Sequence, residues 1–443
     1  MNTLLRRVVV DGRLADVRVT GGAVAEVAQP GLRRLPDEEE VDGGSGALLP
    51  GLHDHHLHVL ALAAARASVD CGAGLAALRT NPGTGWIRGT NYHEQTDGEV
   101  DRHLLDRFVA DRPVRVQHRS GALWMLNSEA VRRVCAVLDD SADVERDGHG
   151  EPTGRLWRYD TRLRPALPAQ GLGLAELGRE LAGYGLTGLT DATPDLDDAA
   201  LALLTALPQH VTALGVPSGT DGARLPSGLV RGPQKLLLRD HDLPPFDDLV
   251  QTLAASHAED RPVAVHCVTR ESLVLTLAAL EQVGPLSGDR IEHAAVAPPE
   301  LVAWLARLGV AVVTQPDFLR ARRTAYRRDV APEDLAHLYP HARLLAAGVP
   351  TAASSDAPYG DVDPWRVVAT ACDRPIGPDE NVTARQALDG YLSDTLSPGG
   401  PPRRIRPGVA ADLVLLHAPL DEVLRAPDAG AVRATWIAGE RPA

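Results

Sequence analysis

The chain has 443 residues, 44% hydrophobic and 23% charged, with a formal net charge of -14, so it is globular in composition and lacks the basic excess that binds nucleic acid or an anionic membrane. Aromatic residues make up only 4%, so Leu, Val and Ala must build the core of one large domain or of two to three smaller ones. The four cysteines (Cys71, Cys135, Cys267 and Cys372) form no C-x-x-C pair, which argues against a disulfide framework or a zinc knuckle and fits a reducing compartment.

The start, MNTLLRRVVVDGRL, has no signal-peptide stretch, and no run approaches the ~18 apolar residues of a membrane span, so a cytoplasmic protein is expected. RRVVVDGRLADVRVTGGAVAEVAQ alternates short β-branched runs with DG and GG, the dipeptides that supply the positive φ of tight hairpins. The C-terminal GVAADLVLLHAP and VRATWIAGERPA repeat that style. Residues 1–47 and 400–443 are therefore expected to form one small β-sandwich domain.

Residues 48–399 alternate strand-like and helix-like stretches. Eight candidate strands end at ALLPGLHDHHLH, TGLTDAT, VTALGVP, LVRGPQKLLL, RPVAVHC, DRIEH, GVAVVTQP and VPTAASSDAP. Helical patterns such as FDDLVQTLAASHAED and PPELVAWLARLG lie between many of them, predicting a (β/α)8 TIM barrel. The first two strands are too far apart for a single helix. An insertion at about 80–180, on a strand-to-helix loop, is expected to form part of a lid or substrate wall.

Chemistry concentrates where these strands end. In PGLHDHHLH, His56 and His58 are two residues apart, so a strand would put both imidazoles on one face, able to chelate a metal. Asp54 shares that face, whereas His55 points away into the packing. His266 ends VAVHC, His293 ends RIEH and Asp356 lies in AASSDAP, each at the catalytic end of a barrel strand. Lys235 in RGPQKLLLRD is the only lysine, the other 44 Lys and Arg cations being arginine. A salt-bridging lysine could drift to arginine; an amine that must react could not, because guanidinium stays protonated. Such an amine can take up carbon dioxide and become a carbamate, an anionic ligand able to bridge two metals.

PGLHDHHLH followed in order by RIEH, TQP and SSDAP resembles the amidohydrolase superfamily over nearly the whole chain, including the split β domain with IRPGVAADLVLL. GWIRG, LWMLNSEAV, GEPTGRL, RIEHAAVAPPELVAWLARLGVAVVTQPDF and SSDAPYGDVDPW are most similar to the branch that includes N-substituted formamide deformylases. The resemblance implies that His56 and His58 bind the more buried of two metal ions and that His266 and His293 bind the second. It also implies a bridging carbamate on Lys235, and Asp356 as metal ligand and as general base towards a metal-activated water. Imidazole and carboxylate ligands favour zinc. The implied reaction is cleavage of an amide C–N bond, of an N-acyl or N-formyl amine. Opening of a cyclic amide or lactone, deamination, and a non-catalytic scaffold are the alternatives. Lys235 tilts against deamination, and the full ligand set against a scaffold.

Two departures point to a different substrate: SGALW, with Ala122 and Leu123, stands where relatives carry a histidine, and GRLWRYD lacks an acidic residue after PTGxL. Candidate substrate contacts are Trp86 and Trp124 in the insertion, and Arg320 and Arg322 in DFLRARRTAYRRD, since arginine suits bidentate recognition of a carboxylate. A small-molecule substrate is expected, with no nucleic-acid or membrane partner, and a homodimer as the assembly.

Overall fold

The computed structural model describes residues 2–167, 172–220 and 225–442. The chain divides into two compact units, Met1–Val59 with Leu174–Ala443, and Leu60–Gly173. The smaller unit covers most of the stretch read as an insertion; residues 168–171 of that stretch lie outside the described residues.

In the larger unit, Asn2–Val10, Arg13–Thr20 and Ala23–Ala28 pair antiparallel, and Glu38–Asp42 runs parallel to the first of them. Asp11 and Gly12 (φ 47° and 76°) make the first turn, and Gly21 and Gly22 (φ 59° and 81°) the second, as DG and GG predict. Leu413–Leu416 pairs with both Val432–Trp436 and Leu48–Pro50. Leu5, Val17 and Val19 of the first sheet share one apolar cluster with Leu48, Leu413, Leu415 and Trp436 of the second, so both chain ends build one core.

The remaining strands of this unit are parallel. One sheet runs Leu229–Arg231, His210–Ala213, Leu186–Asp191, Leu52–Leu57. The other runs Gln234–Leu237, Val263–Cys267, Arg290–His293, Ala311–Thr314, Thr351–Ala353. The expected single strand LVRGPQKLLL thus divides at Gly232–Pro233 and serves both sheets, because proline cannot donate to a ladder. Near that break Lys235 N donates to Leu214 O at 3.3 Å. At the opposite edges Asp356 N donates to His56 O and His58 N to Ala357 O, both at 2.8 Å.

Alternation along these strands sorts their side chains. Val263, Val265, Ile291 and Val312 pack with Leu249, Leu253, Leu273, Leu277, Leu301 and Leu305 of the covering helices. Ala264 packs the other way, with Ala192 and Leu214. His266 has the parity of Ala264 and so faces away from the helices. Thr269 caps Arg270–Val283 through a reciprocal box with Ser272, and Gly309 (φ 68°) ends Pro299–Leu308.

The smaller unit is a six-stranded sheet in the order Val144–Arg146, Pro152–Trp157, Leu123–Leu126, Val114–His118, Ile87–Tyr92, Val69–Asp70. Leu75, Ile87, Val114 and Met125 anchor one apolar cluster, and Trp124, Leu126, Val131 and Leu156 another. Among the described residues no helix is long and apolar enough to cross a membrane.

Packing inside the parallel strands leaves no slack at Gly188, where an added Cβ would lie 2.3 Å from His53 Nδ1. Gly188→Ala should therefore cost about 1–3 kcal/mol through overpacking, read as a lower urea midpoint; an unchanged midpoint would mean the His53 ring is free to move.

Candidate active site

The strand Leu52–Leu57 is buried along its whole length, so its polar side chains need partners inside the protein. His55 turns away from the site, as expected, with its Nε2 3.1 Å from Gly390 O and 3.0 Å from Ser393 Oγ. Burial drives its pKa down to about 3. Asp54 Oδ1 accepts from His56 N (3.1 Å) and Ser355 N (3.3 Å), bracing the first strand against the segment that carries Asp356. Burial raises the Asp54 carboxyl to about 7.

His56 and His58 do come together, with ring centroids 5.5 Å apart. Asp356 Oδ1 lies 3.5 Å from His56 Nε2 and 3.3 Å from His58 Nε2. The three residues offer ligand atoms that all lie within 4.8 Å of one another. His293 joins from the second sheet, its ring 4.9 Å from His56 and its Nδ1 3.9 Å from Asp356 Oδ2. His266 stacks edge-on against His293 at 4.5 Å.

Two of these side chains depend on unusual backbone. Asp356, His293 and Ala294 have φ of 51°, 74° and 46°, where non-glycine residues are uncommon. At His293 this turn follows directly on buried Glu292, and the imidazole lies beside those of His56 and His266. At Asp356 the carbonyl accepts from Tyr359 N (2.9 Å) and Gly360 N (3.2 Å). A Cβ on Gly360 would lie 2.2 Å from Ser355 O, so this turn requires glycine. Clustered strain of this kind marks functional sites.

Outer partners fix the tautomers. Gln315 Nε2 donates to Ser354 Oγ (2.9 Å) and Val313 O (3.3 Å), which turns its Oε1 towards His293 Nδ1 at 2.6 Å. His293 Nδ1 is then the donor, and its Nε2 lone pair is free. His56 Nδ1 donates likewise to Glu292 Oε2, leaving its Nε2 for the centre. The other oxygen of Glu292 accepts from Arg290 Nε at 2.6 Å, and Arg290 Nη2 reaches His55 O at 3.1 Å. Glu292, Arg290 and Gln315 lie within RIEH and TQP, but the sequence alone assigns them no role. Period-two alternation in RIEH could have placed Arg290 and Glu292 together on the inner face.

Burial lowers the pKa of His56 and His293, and brings His266 to about 4, so these imidazoles are neutral and their lone pairs available. Burial opposes ionisation of Asp356, but the surrounding imidazoles of His56, His58 and His293 outweigh it and hold its pKa below the usual carboxylate range. Glu292 is held ionised against its burial by Arg290, His56 and Lys235. Lys235 Nζ is screened from solvent and has no hydrogen-bond partner among the described residues. Burial lowers its pKa, while Glu292 and Asp356 pull the other way. Lys235 also lines a cavity of about 430 Å³ with Asp195, Leu237, Arg239 and Asp242.

The four candidate substrate contacts separate. Trp124 is 3% exposed in the core of the smaller unit, its Nε1 donating to Asp160 Oδ1 at 2.7 Å. Trp86 packs half-buried against the same cluster. Arg320 is engaged by Asp317 through two bonds, of 2.8 and 3.1 Å. Arg322 stacks on Phe318, 3.8 Å from the ring centroid.

A second group, His93, Glu94 and His118 of the smaller unit, has the same atom types. His93 Nδ1 accepts from Gln95 N and His118 Nδ1 from Ser120 N, both at 3.1 Å. Each Nε2 therefore carries a proton directed at Glu94 Oε2, and neither offers a lone pair.

The chain belongs to the amidohydrolase family, whose profile matches residues 39–441. It is similar to the N-substituted formamide deformylase of Arthrobacter pascens, 27% identical over 487 residues that cover 90% of this chain and 89% of that protein. Its fold is shared with the crystal structure of an uncharacterized metal-dependent hydrolase from Pyrococcus horikoshii OT3, with TM-score 0.78 and 18% identity over 100% of both chains. The corresponding hydrolase from Pyrococcus furiosus gives TM-score 0.74 and 19% identity over 93% of this chain and 98% of that one.

Glu292→Ala would leave the Arg290 guanidinium buried with no counter-charge and should destabilise the protein by about 3–5 kcal/mol, measured by urea denaturation; a loss below about 1 kcal/mol would contradict the buried-pair account.

Proposed function

We propose that this chain is a metal-dependent hydrolase of an amide C–N bond, acting on an N-acyl or N-formyl amine. One observation carries the reading: His56, His58 and Asp356 bring ligand atoms within 4.8 Å of one another. Among the described residues Asp356 Oδ1 has no hydrogen-bond donor, the kind of orphaned oxygen that a cation would satisfy, and the screened Lys235 amine has no partner either, which suits its conversion to an anionic carbamate. Neutral imidazoles and carboxylates fit zinc better than magnesium. Similarity to a formamide deformylase supports an acylated amine as the substrate class.

In this reading the eight predicted strands close as a (β/α)8 barrel, and the two terminal sheets form a sandwich. His56 and His58, with Asp356, would hold one ion, and His266 and His293 would hold a second. Lys235 would join this ligand set as a carbamate, its amine nitrogen bonding to the carbon of carbon dioxide and giving up one proton. Bound divalent ions would polarise the scissile carbonyl and bring the pKa of a coordinated water down towards ~7. Asp356 accepts the proton from the attacking water as the C–O bond forms. It then passes that proton to the amine nitrogen as the C–N bond breaks, which lets the amine leave neutral. Glu292 and Gln315 hold His56 and His293 in the tautomers that face the centre.

Asp356→Asn keeps the size of the side chain and removes the proton acceptor. It should lower kcat/KM on N-formyl amines by about 10²-fold or more, with an unchanged far-ultraviolet circular dichroism spectrum. Full turnover by a folded Asp356→Asn protein would overturn this mechanism.

A further inference from the structure

Arg261 lies just before the strand Val263–Cys267 and is 3% exposed. Its guanidinium is spent on backbone carbonyls: Nε donates to Gly232 O at 3.0 Å, Nη1 to Val216 O at 2.8 Å and Nη2 to Leu214 O at 2.9 Å. Its own backbone is fixed in turn, with Arg261 N donating to Ser256 O at 3.1 Å and Arg261 O accepting from Ser256 Oγ at 2.8 Å. A buried cation is costly unless such bonds hold it.

The carbonyls it takes are not scattered. Leu214 and Val216 follow the strand His210–Ala213, and Gly232 stands at the break between Leu229–Arg231 and Gln234–Leu237. Pro233 has no N–H to give to a ladder there. Gln234 N, the next donor along the chain, reaches Pro262 O at 2.7 Å. Arg261 and Pro262 therefore grip the chain on both sides of the break. Lys235 comes next. Its N also donates to Leu214 O, at a longer 3.3 Å, so the carbonyl that sets the lysine backbone against the first sheet is one that Arg261 holds. A neutral glutamine has too few donors for this task, whereas a guanidinium presents its donors in one rigid plane.

We infer that Arg261 is a positioning residue for Lys235. It replaces the ladder bond lost at Pro233 and fixes where the single lysine enters the site, and with it the placement in which the amine takes up carbon dioxide. The inference rests on the carbamate proposed above.

Zinc-loaded protein titrated with isotope-labelled bicarbonate tests it, read by the carbon NMR resonance of the carbamate. Lys235→Arg assigns that resonance, because the chain has no other lysine. In Arg261→Met the bicarbonate needed for half-occupancy should rise by about 10–100-fold, as when a group that orients a metal ligand is removed. Arg261→Lys, which keeps the charge and loses the fork, should fall between. Arg374→Met controls for the loss of a buried arginine as such: Arg374 is 4% exposed, and its Nη1 and Nη2 donate to Tyr339 O and Leu338 O, both at 2.6 Å. It should keep the wild-type midpoint. A wild-type midpoint in either folded Arg261 variant, an equal rise in Arg374→Met, or failure of both Arg261 variants to fold would overturn the positioning role alone. Absence of the resonance from wild-type protein would overturn the carbamate, and this inference with it.

Discussion

Glu292 is wholly enclosed, with one oxygen on Arg290 Nε and the other on His56 Nδ1. An ionised carboxylate in such a place survives only because both oxygens are paired. The pairing has two consequences. Arg290 continues to His55 O and so ties the strand Arg290–His293 to the strand Leu52–Leu57, which belong to different sheets. His56 is left with one nitrogen committed to Glu292 and the other facing Asp356. Registry of the two sheets and orientation of the first imidazole therefore depend on the same buried charge.

The rest of the site is built where strands stop. Regular alternation carries His56 and His266 inward, but His293 and Asp356 arrive through backbone with positive φ that the surrounding structure must hold. Gln315 and Ser354 supply that support on one side, and Asp54 with the Asp356 N to His56 O bond on the other. Scaffold and site are thus one object, with rigidity spent where geometry matters for proton transfer.

Legibility from sequence followed the physics. Strand positions could be read because buried β-branched runs end in polar residues and alternate with amphipathic helical stretches. His56, His58 and Asp356 stood out because polar residues at such ends need a reason. Glu292 and Gln315 were not assigned, because their roles exist only between strands apart in sequence: Glu292 orients a histidine 236 positions away, and Gln315 one on the neighbouring strand. Arg320 and Arg322 looked alike, and only the placement of Asp317 and Phe318 tells them apart. Trp124 was expected as a substrate contact; it lies within Leu123–Leu126, with Arg88 and Arg115 over its ring and its Nε1 donating to Asp160. The break at Gly232–Pro233 falls inside LVRGPQKLLL, and its signal was the proline.

The central claim is that these histidines, Asp356 and the single lysine of the chain form one metal centre. Metal content per chain, by elemental analysis of protein purified without chelator, tests it most directly. The account predicts about two divalent ions per chain, with zinc the main one. A value near zero, unchanged after incubation with zinc and bicarbonate, would contradict it.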